Sequence, residues 1–590
     1  MHRRNGVMGD SNNRALSIPP LPPMPIHNLL QNPSRRQFVG RGAALMAAAP
    51  LAGCLQGGDL ERPVQFTHGV ASGDPLGDRV ILWTRVRGLD PNDNAEVRLR
   101  WEVAQDAAFA QIVASGDAVA TAATDFTVKV DASGLTAGRA YHYRFKAHGL
   151  TSSAGRCKTL PAGSVNEARL AVFSCANHPT GYFHAYAEAA KRTDLDAVVH
   201  LGDYLYEYGA TGYATANAAQ LGRVPQPATE IVSLADYRRR YAQYRTDPDL
   251  QALHAAHPMI AVWDDHEITN DAWRQGAENH QANEGDYAAR KAAALQAWHE
   301  WMPVRSGSAN DQIWRRFDWG NLLSLHMLDT RIAGRDLQLD YANFIGPSGF
   351  DATGFTAALS NPNRQLLGAP QQAWLQQQLA TSTATWQVLG QQVLMGRMNI
   401  PAPILFEANQ PGSGVSVSVY AAIVQKAQTN PAALTAQERA ILAQPAIPYN
   451  LDAWDGYAVA RETVLGTAAS LNKNLVVLAG DTHNAWASDL RLLNGTPVGV
   501  EFATSSVSSP GFEEYLPNEN PTFLAGALTQ LIDPLQYCDT SRRGFMLVTA
   551  TPGACRADWV YVSSILQRNY TASVGASWQV RAGEKRLTAV

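Results

Sequence analysis

Cysteine is scarce in this chain, five in 590 residues, which excludes a small scaffold stapled by disulfides. Net charge is small as well: 48 Lys and Arg stand against 52 Asp and Glu, a formal −4. The first 53 residues hold six Arg (3, 4, 14, 35, 36, 41) and one Asp (10), so they carry +5 and the remainder carries −9. A body that acidic argues against nucleic-acid binding or nonspecific attraction to anionic membranes. The run Arg238-Arg239-Arg240 reads as a solvated helix face, since a nucleic-acid footprint needs a clustered patch. Beyond the first segment no apolar run is long enough to span a bilayer. No Ser sits in a Gly-x-Ser-x-Gly elbow, which disfavours a covalent serine mechanism. What is present is a globular composition, 46% hydrophobic and 17% charged, in a chain long enough for two or more folded units.

Residues 1–54 read as an address. Ser34-Arg35-Arg36-Gln37-Phe38-Val39 precedes the small apolar run Ala43–Pro50. A basic stretch followed by a short apolar one is a secretory signal, too short to be a spanning helix. The Arg pair resembles the twin-arginine export signal, whose machinery carries folded proteins. Leu51-Ala52-Gly53-Cys54 resembles a lipoprotein processing box, with Cys54 as the lipidated residue; cleavage nearby to release a free protein is the alternative. Periplasmic, secreted and lipid-anchored destinations are the outcomes these readings allow. In an oxidising compartment Cys538 and Cys555 are candidates for a bridge.

Residues 62–160 alternate in short β segments, among them Arg79–Arg85, Val97–Val103 and Tyr141–Lys146, and predict a β-sandwich. From about 165 to 565 apolar strands alternate with amphipathic helices, the pattern of a layered α/β domain. Predicted strands are Leu170–Ser174, Ala197–Leu201, Met259–Trp263, Leu322–Leu328, Trp386–Leu389 and Leu475–Ala479. Predicted helices are Phe183–Arg192, Leu234–Tyr244, Tyr287–Trp301 and Pro370–Leu379. Stretches 335–368 and 400–450 fit the alternation poorly and read as insertions forming a rim or lid. Residues 566–590 form a C-terminal extension.

Five of the strands end in residues that carry chemistry: Cys175 and Asn177; Asp203, Tyr204 and Tyr206; Asp264, Asp265, His266 and Asn270; Asp329 and Arg331; Asp481, His483 and Asn484. Ligands of open α/β sheets bind beyond the carboxyl ends of strands, so these residues are expected in one place. Singly, each has a plain reading: an Asp after a strand is usually a cap, and a lone Cys a small hydrophobe. Together they contain too many carboxylates to bury without a cation. The thiolate of Cys175, the phenolate of Tyr206, Asp203 and His483 suit Fe(III) better than Zn(II) alone. Asp481 and His483, two apart on a segment read as extended, are expected to serve neighbouring ions. Oxygens from Asp203, Asp265, Asp481 and Asn270 favour Ca(II), Mg(II) or Mn(II) as the second.

Gly202-Asp203-x-x-Tyr206, Asp264-Asp265-His266-Glu267 and Gly480-Asp481-Thr482-His483-Asn484 resemble the motifs of calcineurin-like metallophosphoesterases, in the variant of the PhoD-like alkaline phosphatase/phosphodiesterase family. Phe66–Pro75, Leu82-Trp83-Thr84-Arg85, Phe173-Ser174-Cys175 and Trp454-Asp455-Gly456-Tyr457 strengthen the likeness, which covers essentially all of the chain after the leader. It implies an immunoglobulin- or fibronectin-like β-sandwich followed by a four-layer α/β/β/α domain, with a binuclear or multinuclear Fe(III) and Ca(II) centre that hydrolyses phosphate mono- or diesters. Mg(II), Mn(II) and Zn(II) are poorer fits to it. By the resemblance, Cys175, Asp203, Tyr206 and His483 hold iron, and Asp203, Asp265 and Asp481 hold calcium. Asn270, Asn177 and Asp264 stand behind them or meet the phosphate. Cys175 replaces the usual Asp of an Asp-x-His motif, Asn177 its His, and Asp481 a further His. Family members often close the site with a C-terminal helix; here Ala576–Arg581 alternates like a strand, so no such lid is expected.

The expected reaction is one in-line displacement by a metal-bound hydroxide. Arg331 is assigned to the phosphoryl oxygens and His266 to the leaving oxygen. Two rival functions use the same sequence. A phospholipase-D-like diesterase would act on lipid head groups, with Ile404, Leu405, Phe406, Val415 and Val417 as an apolar approach. A catalytically silent phosphate- or metal-binding surface lipoprotein would have no reason to keep the ligand set complete.

Overall fold

Apolar segments too short to be helices and bounded by turn residues become the strands of two large sheets. The computed structural model describes residues 62–307, 311–346 and 349–590. The twin-arginine segment and Cys54 lie outside them. In chain order the strands that matter for the site are Val70–Gly73 (β1), Arg79–Arg85 (β2), Thr127–Ser133 (β3), Ala168–Phe173 (β4), Ala197–His200 (β5), Pro258–Ala261 (β6), Leu323–Met327 (β7), Trp386–Gly390 (β8), Asn474–Ala479 (β9) and Pro497–Ala503 (β10). Each predicted catalytic-domain strand is present to within a few residues, and helices Leu234–Tyr244 and Tyr287–Trp301 have the predicted bounds.

One sheet of ten strands runs Thr588–Ala589, Ala572–Arg581, Ala554–Val562, Arg543–Ala550, β4, β5, β6, β1, β2, β3. Strands β4, β5, β6 and β1 are parallel, and the flanks are antiparallel. The other sheet, of seven, runs Arg315–Trp319, β7, β8, β9, β10, Ala485–Arg491, Leu535–Asp539, with β7 to β10 parallel. Side chains alternate between faces along a strand. Val388, Val476, Leu478 and Phe502 of the second sheet therefore share a core with Leu170, Val172 and Val198 of the first. Their neighbours Leu389, Leu475 and Val477 face helices Ala369–Thr381 and Ala458–Ser470 instead. Buried on both faces, these strands had to be continuous apolar runs.

Three features bear on the expectations from sequence. The N-terminal segment, read as a β-sandwich, shares its inner strands with the following domain. Its outer layer, Val97–Ala104, Ile112–Ala120, Ala140–Ala147 and Gly155–Lys158, packs on β1 to β3 through Leu82, Val128, Val103 and Phe145. Those inner strands belong to the ten-stranded sheet, because Ser72 and Gly73 of β1 pair in parallel with Pro258 and Met259 of β6. Cys538 and Cys555 are not bridged: they sit on different sheets, each buried among apolar side chains, and both thiols are free. Stretch 400–450, read from the sequence as an insertion, contains the helices Ala402–Asn409, Val417–Thr429 and Ala436–Leu442. The third starts at a capping box between Thr435 and Glu438, a Thr-x-x-Glu signal readable in the sequence.

Candidate metal centre

The parallel strands of both sheets end at the same place, and close packing of their tips fixes the spacing. A Cβ on Gly480, after β9, would lie 2.2 Å from Oγ of Ser174, after β4, so only glycine lets the sheets approach this closely. Gly202, after β5, has φ 112°, and a Cβ there would lie 2.4 Å from the Cβ of Asp264. Gln392, fully buried after β8, ties the tips together: its Nε2 donates to the carbonyls of Trp263 and Leu328 at 2.6 and 3.0 Å. Its own carbonyl accepts from the Gly480 amide at 2.7 Å.

Immediately beyond these ends the backbone turns left-handed at residues other than glycine. Cys175, Asp203, Asp481 and His483 have φ of 60°, 58°, 65° and 65°. Such conformations cost free energy and persist where the surroundings over-determine them, typically at functional sites. For Asp481 and His483 this corrects the extended segment read from the sequence. The restraint is visible at Glu267, which is buried and whose carboxylate accepts from the amides of Asp203, Tyr204 and Asp264 at 3.0, 2.7 and 2.8 Å.

Three overlapping sets of donor atoms result. Cys175, Asp203 and His483 form one, Asp203, Asp265 and His266 a second, and Asp264, Asp265 and Asp481 a third; within each, the ligand atoms lie within 4.8 Å of one another. Asp203 belongs to two sets, and Asp481 and His483 serve different ones. The hydroxyl of Tyr206 lies 3.0 Å from Oδ2 of Asp203 and 3.1 Å from Nε2 of His483, and accepts from Ser509 at 2.8 Å. Nδ1 of His483 is 2.7 Å from the Pro510 carbonyl, which can only accept, so the proton sits there and the Nε2 lone pair faces the cluster.

Electrostatics says what is missing. Burial pushes the Cys175 thiol and the Asp203 and Asp481 carboxyls well above their ordinary ranges, with neighbouring acids adding to the effect. Burial likewise raises Asp264 to about 6, against the pull of Arg331. At Asp265 burial acts in the same direction, but Arg331 and His266 outweigh it and hold the group at about 2. His483 falls to about 3 through burial and is neutral, as a ligand should be. Asp203 Oδ1, Asp264 Oδ2 and Asp265 Oδ1 are buried with no hydrogen-bond partner. Orphaned carboxylate oxygens beside a thiol and a neutral imidazole fit a metal cation, which removes the cost of burying them.

The remaining assigned residues divide. His266 Nδ1 lies 2.7 Å from Oε2 of the fully buried Glu207, so it carries a proton, and its ring stacks on Tyr206 at 4.1 Å. Burial alone would lower this imidazole, but Glu207, Asp265 and Asp203 raise it well above the usual histidine range. Asn177 is buried with Nδ2 unpartnered, two residues from Cys175. Asn270 instead turns its side chain to Glu278 at 3.2 Å. The fork of Arg331, assigned from the sequence to the phosphoryl oxygens, is engaged by acids of the protein. It is fully buried, bonded to Asp264, to Asp452 at 2.8 Å and to Asp481 at 3.0 Å. Sequence reasoning missed Asp452 and Glu207. The first lies two residues before the Trp-Asp-Gly-Tyr motif, and the second directly follows Tyr206, so proximity to a motif was the available signal. Glu207→Gln should lower the pKa of His266 measured by NMR and reduce kcat about 10- to 100-fold, the usual effect of removing an orienting partner.

Known proteins resemble this chain over most of its length. The sequence model of a family described as PhoD-like phosphatase matches residues 170–559, and that of its N-terminal domain matches residues 53–161. Alkaline phosphatase D of Bacillus subtilis (strain 168) is 35% identical over 549 residues, which cover 89% of this chain and 82% of that protein. A solved structure of PhoD superposes with a TM-score of 0.71 at 34% identity, covering 89% of this chain and 92% of the other.

Proposed function

Because the chain belongs to the PhoD-like phosphatase family, we propose that it is a metal-dependent phosphoric-ester hydrolase acting at the cluster around Asp203. One observation carries the reading: buried carboxylate oxygens of Asp203, Asp264 and Asp265 accept no hydrogen bond from the protein, beside the Cys175 thiol and the His483 lone pair. Cys175, Asp203, Tyr206 and His483 would hold the softer ion, Fe(III), and Asp203, Asp265 and Asp481 the harder one, Ca(II). Bound there, such ions supply Lewis acidity toward phosphoryl oxygens and make a water nucleophilic near neutral pH. His266, protonated and oriented by Glu207, supplies a proton to the departing oxygen. Arg331 balances the charge of Asp264, Asp452 and Asp481. The fold is read as four layers, α/β/β/α, supported by the division of alternate side chains of the second sheet between two cores. Export by the twin-arginine route, with or without a lipid on Cys54, belongs to the same proposal and rests on the sequence of residues 34–54.

The metal-loaded protein should hydrolyse p-nitrophenyl phosphate or its bis ester, and elemental analysis should find iron and calcium. Chelation should abolish turnover. A chiral phosphorothioate should be hydrolysed with inversion at phosphorus, because no protein nucleophile intervenes. Retention would reject direct attack by water, and equal inactivity of the loaded enzyme on every ester would leave a binding protein.

A further inference from the structure

The cluster opens on one side into a cavity of about 360 Å³, bounded by Asp481 and His483 at one end. That size is at the lower end for small-molecule sites. Its walls come from the helices Ala402–Asn409, Val417–Thr429 and Pro521–Leu531 and from strand Ala485–Arg491, through Ile404, Leu405, Val417, Trp486, Leu524 and Leu528, all buried. Ala408, Asn409 and Tyr515 are exposed at the mouth, Tyr515 by 59%.

At the apolar end of the cavity, three polar side chains of the wall, Trp486, Thr482 and Asn484, are engaged within the protein. Trp486 Nε1 donates to Thr482 Oγ1 at 2.7 Å. Asn484 donates to the Thr482 carbonyl at 2.6 Å and accepts from the Phe512 amide at 3.1 Å. A sugar or a base entering between Leu405, Trp486 and Leu528 would give up hydrogen bonds to water with no replacement from these groups. A hydrocarbon loses nothing and gains burial. The polarity gradient, with the polar ligand atoms of Asp481 and His483 at one end and hydrocarbon beyond, matches an ester whose phosphate and organic substituent differ in the same way.

We propose that this cavity receives the organic substituent of the ester, and that the substituent is an alkyl chain. The assignment rests on the phosphoesterase reading of the cluster and names the substrate class it serves. A phosphorus held at the cluster places its substituent beside the end of the cavity lined by Asp481 and His483, so chain length and reaction rate are coupled.

The test measures kcat/KM of the metal-loaded enzyme on n-alkyl phosphates from methyl to octyl, below their micellar concentrations, and on a nucleoside 5′-monophosphate. The octyl-to-methyl ratio does not depend on the fraction of active enzyme. It should rise by about two- to fourfold per methylene until the cavity is filled, the burial of one methylene setting the upper figure. The nucleotide should do no better than the methyl ester. In Ala408→Trp, a change at the exposed mouth, the octyl-to-methyl ratio should fall toward one. Hydrolysis of all esters with no dependence on chain length, or preference for the nucleotide, overturns this proposal and leaves the phosphoesterase reading standing. An unchanged ratio in Ala408→Trp likewise overturns it, since the chain then binds elsewhere. Failure to hydrolyse any ester overturns the phosphoesterase reading, and this one with it.

Discussion

Asp203→Asn should lower kcat/KM by more than about a hundredfold and release metal from the purified protein, since the loss of even an outer partner of a metal ligand costs up to that much. Asp203 is singled out because it alone belongs to both the set with Cys175 and His483 and the set with Asp265 and His266. Removing its charge therefore weakens two sites together. Cys175→Ala touches one set, and should lose iron while keeping more of its calcium. Elemental analysis of the two variants side by side reads the difference. Equal retention of both metals by Asp203→Asn would show that the carboxylate is not shared.

Arg331→Met should destabilise the metal-free protein by about 3–5 kcal/mol, the cost of removing one partner from a buried ion pair. Arg331 and Asp264 have no exposed side-chain surface, and Asp452 and Asp481 are mostly buried. Without the guanidinium these carboxylates stay ionised only at a larger cost. This fixes the sign of the pH dependence. Asp264 already titrates at about 6 in the fold, against an ordinary 3.8. A group that binds protons more tightly folded than unfolded makes stability fall as pH rises. Losing Arg331 raises Asp264 further, so the deficit relative to wild type should deepen as pH climbs through about 6. Denaturant unfolding at several pH values measures it. If the variant is as stable as wild type and only KM rises, the fork meets substrate after all, as the sequence suggested.

The parallel strands and most of the residues just beyond their ends were legible because a strand buried on both faces is a plain apolar run, and because a carboxylate or thiol next to it breaks the run conspicuously. That is how Cys175, Asp203, Asp265, Asp481 and His483 announce themselves. The surroundings of Arg331 were hidden for a physical reason. Its sequence neighbours say only that it comes after a strand, whereas one of its partners is Asp452, 121 residues away. Glu207 and Glu267 were hidden in the same way: each acts through partners about sixty positions distant, His266 for the first and the amides of Asp203 and Tyr204 for the second. The left-handed turn at Cys175 leaves no trace in residue type, whereas Asp203 is of a type that tolerates one. Local patterns report which face is apolar, and contacts of long sequence separation report to nothing nearby.

The parallel pairing of Val70–Gly73 with Pro258–Ala261 has a bearing on how this protein can be cut. Two family descriptions abut near residue 165, which invites expression of the C-terminal piece by itself. Excision there would strip three members from the end of the ten-stranded sheet and bare a raw border of amides and carbonyls at Pro258–Ala261, an invitation to self-association. The amino-terminal module is thus a selvedge woven into the catalytic fabric, and the smallest soluble unit is expected to begin before Val70.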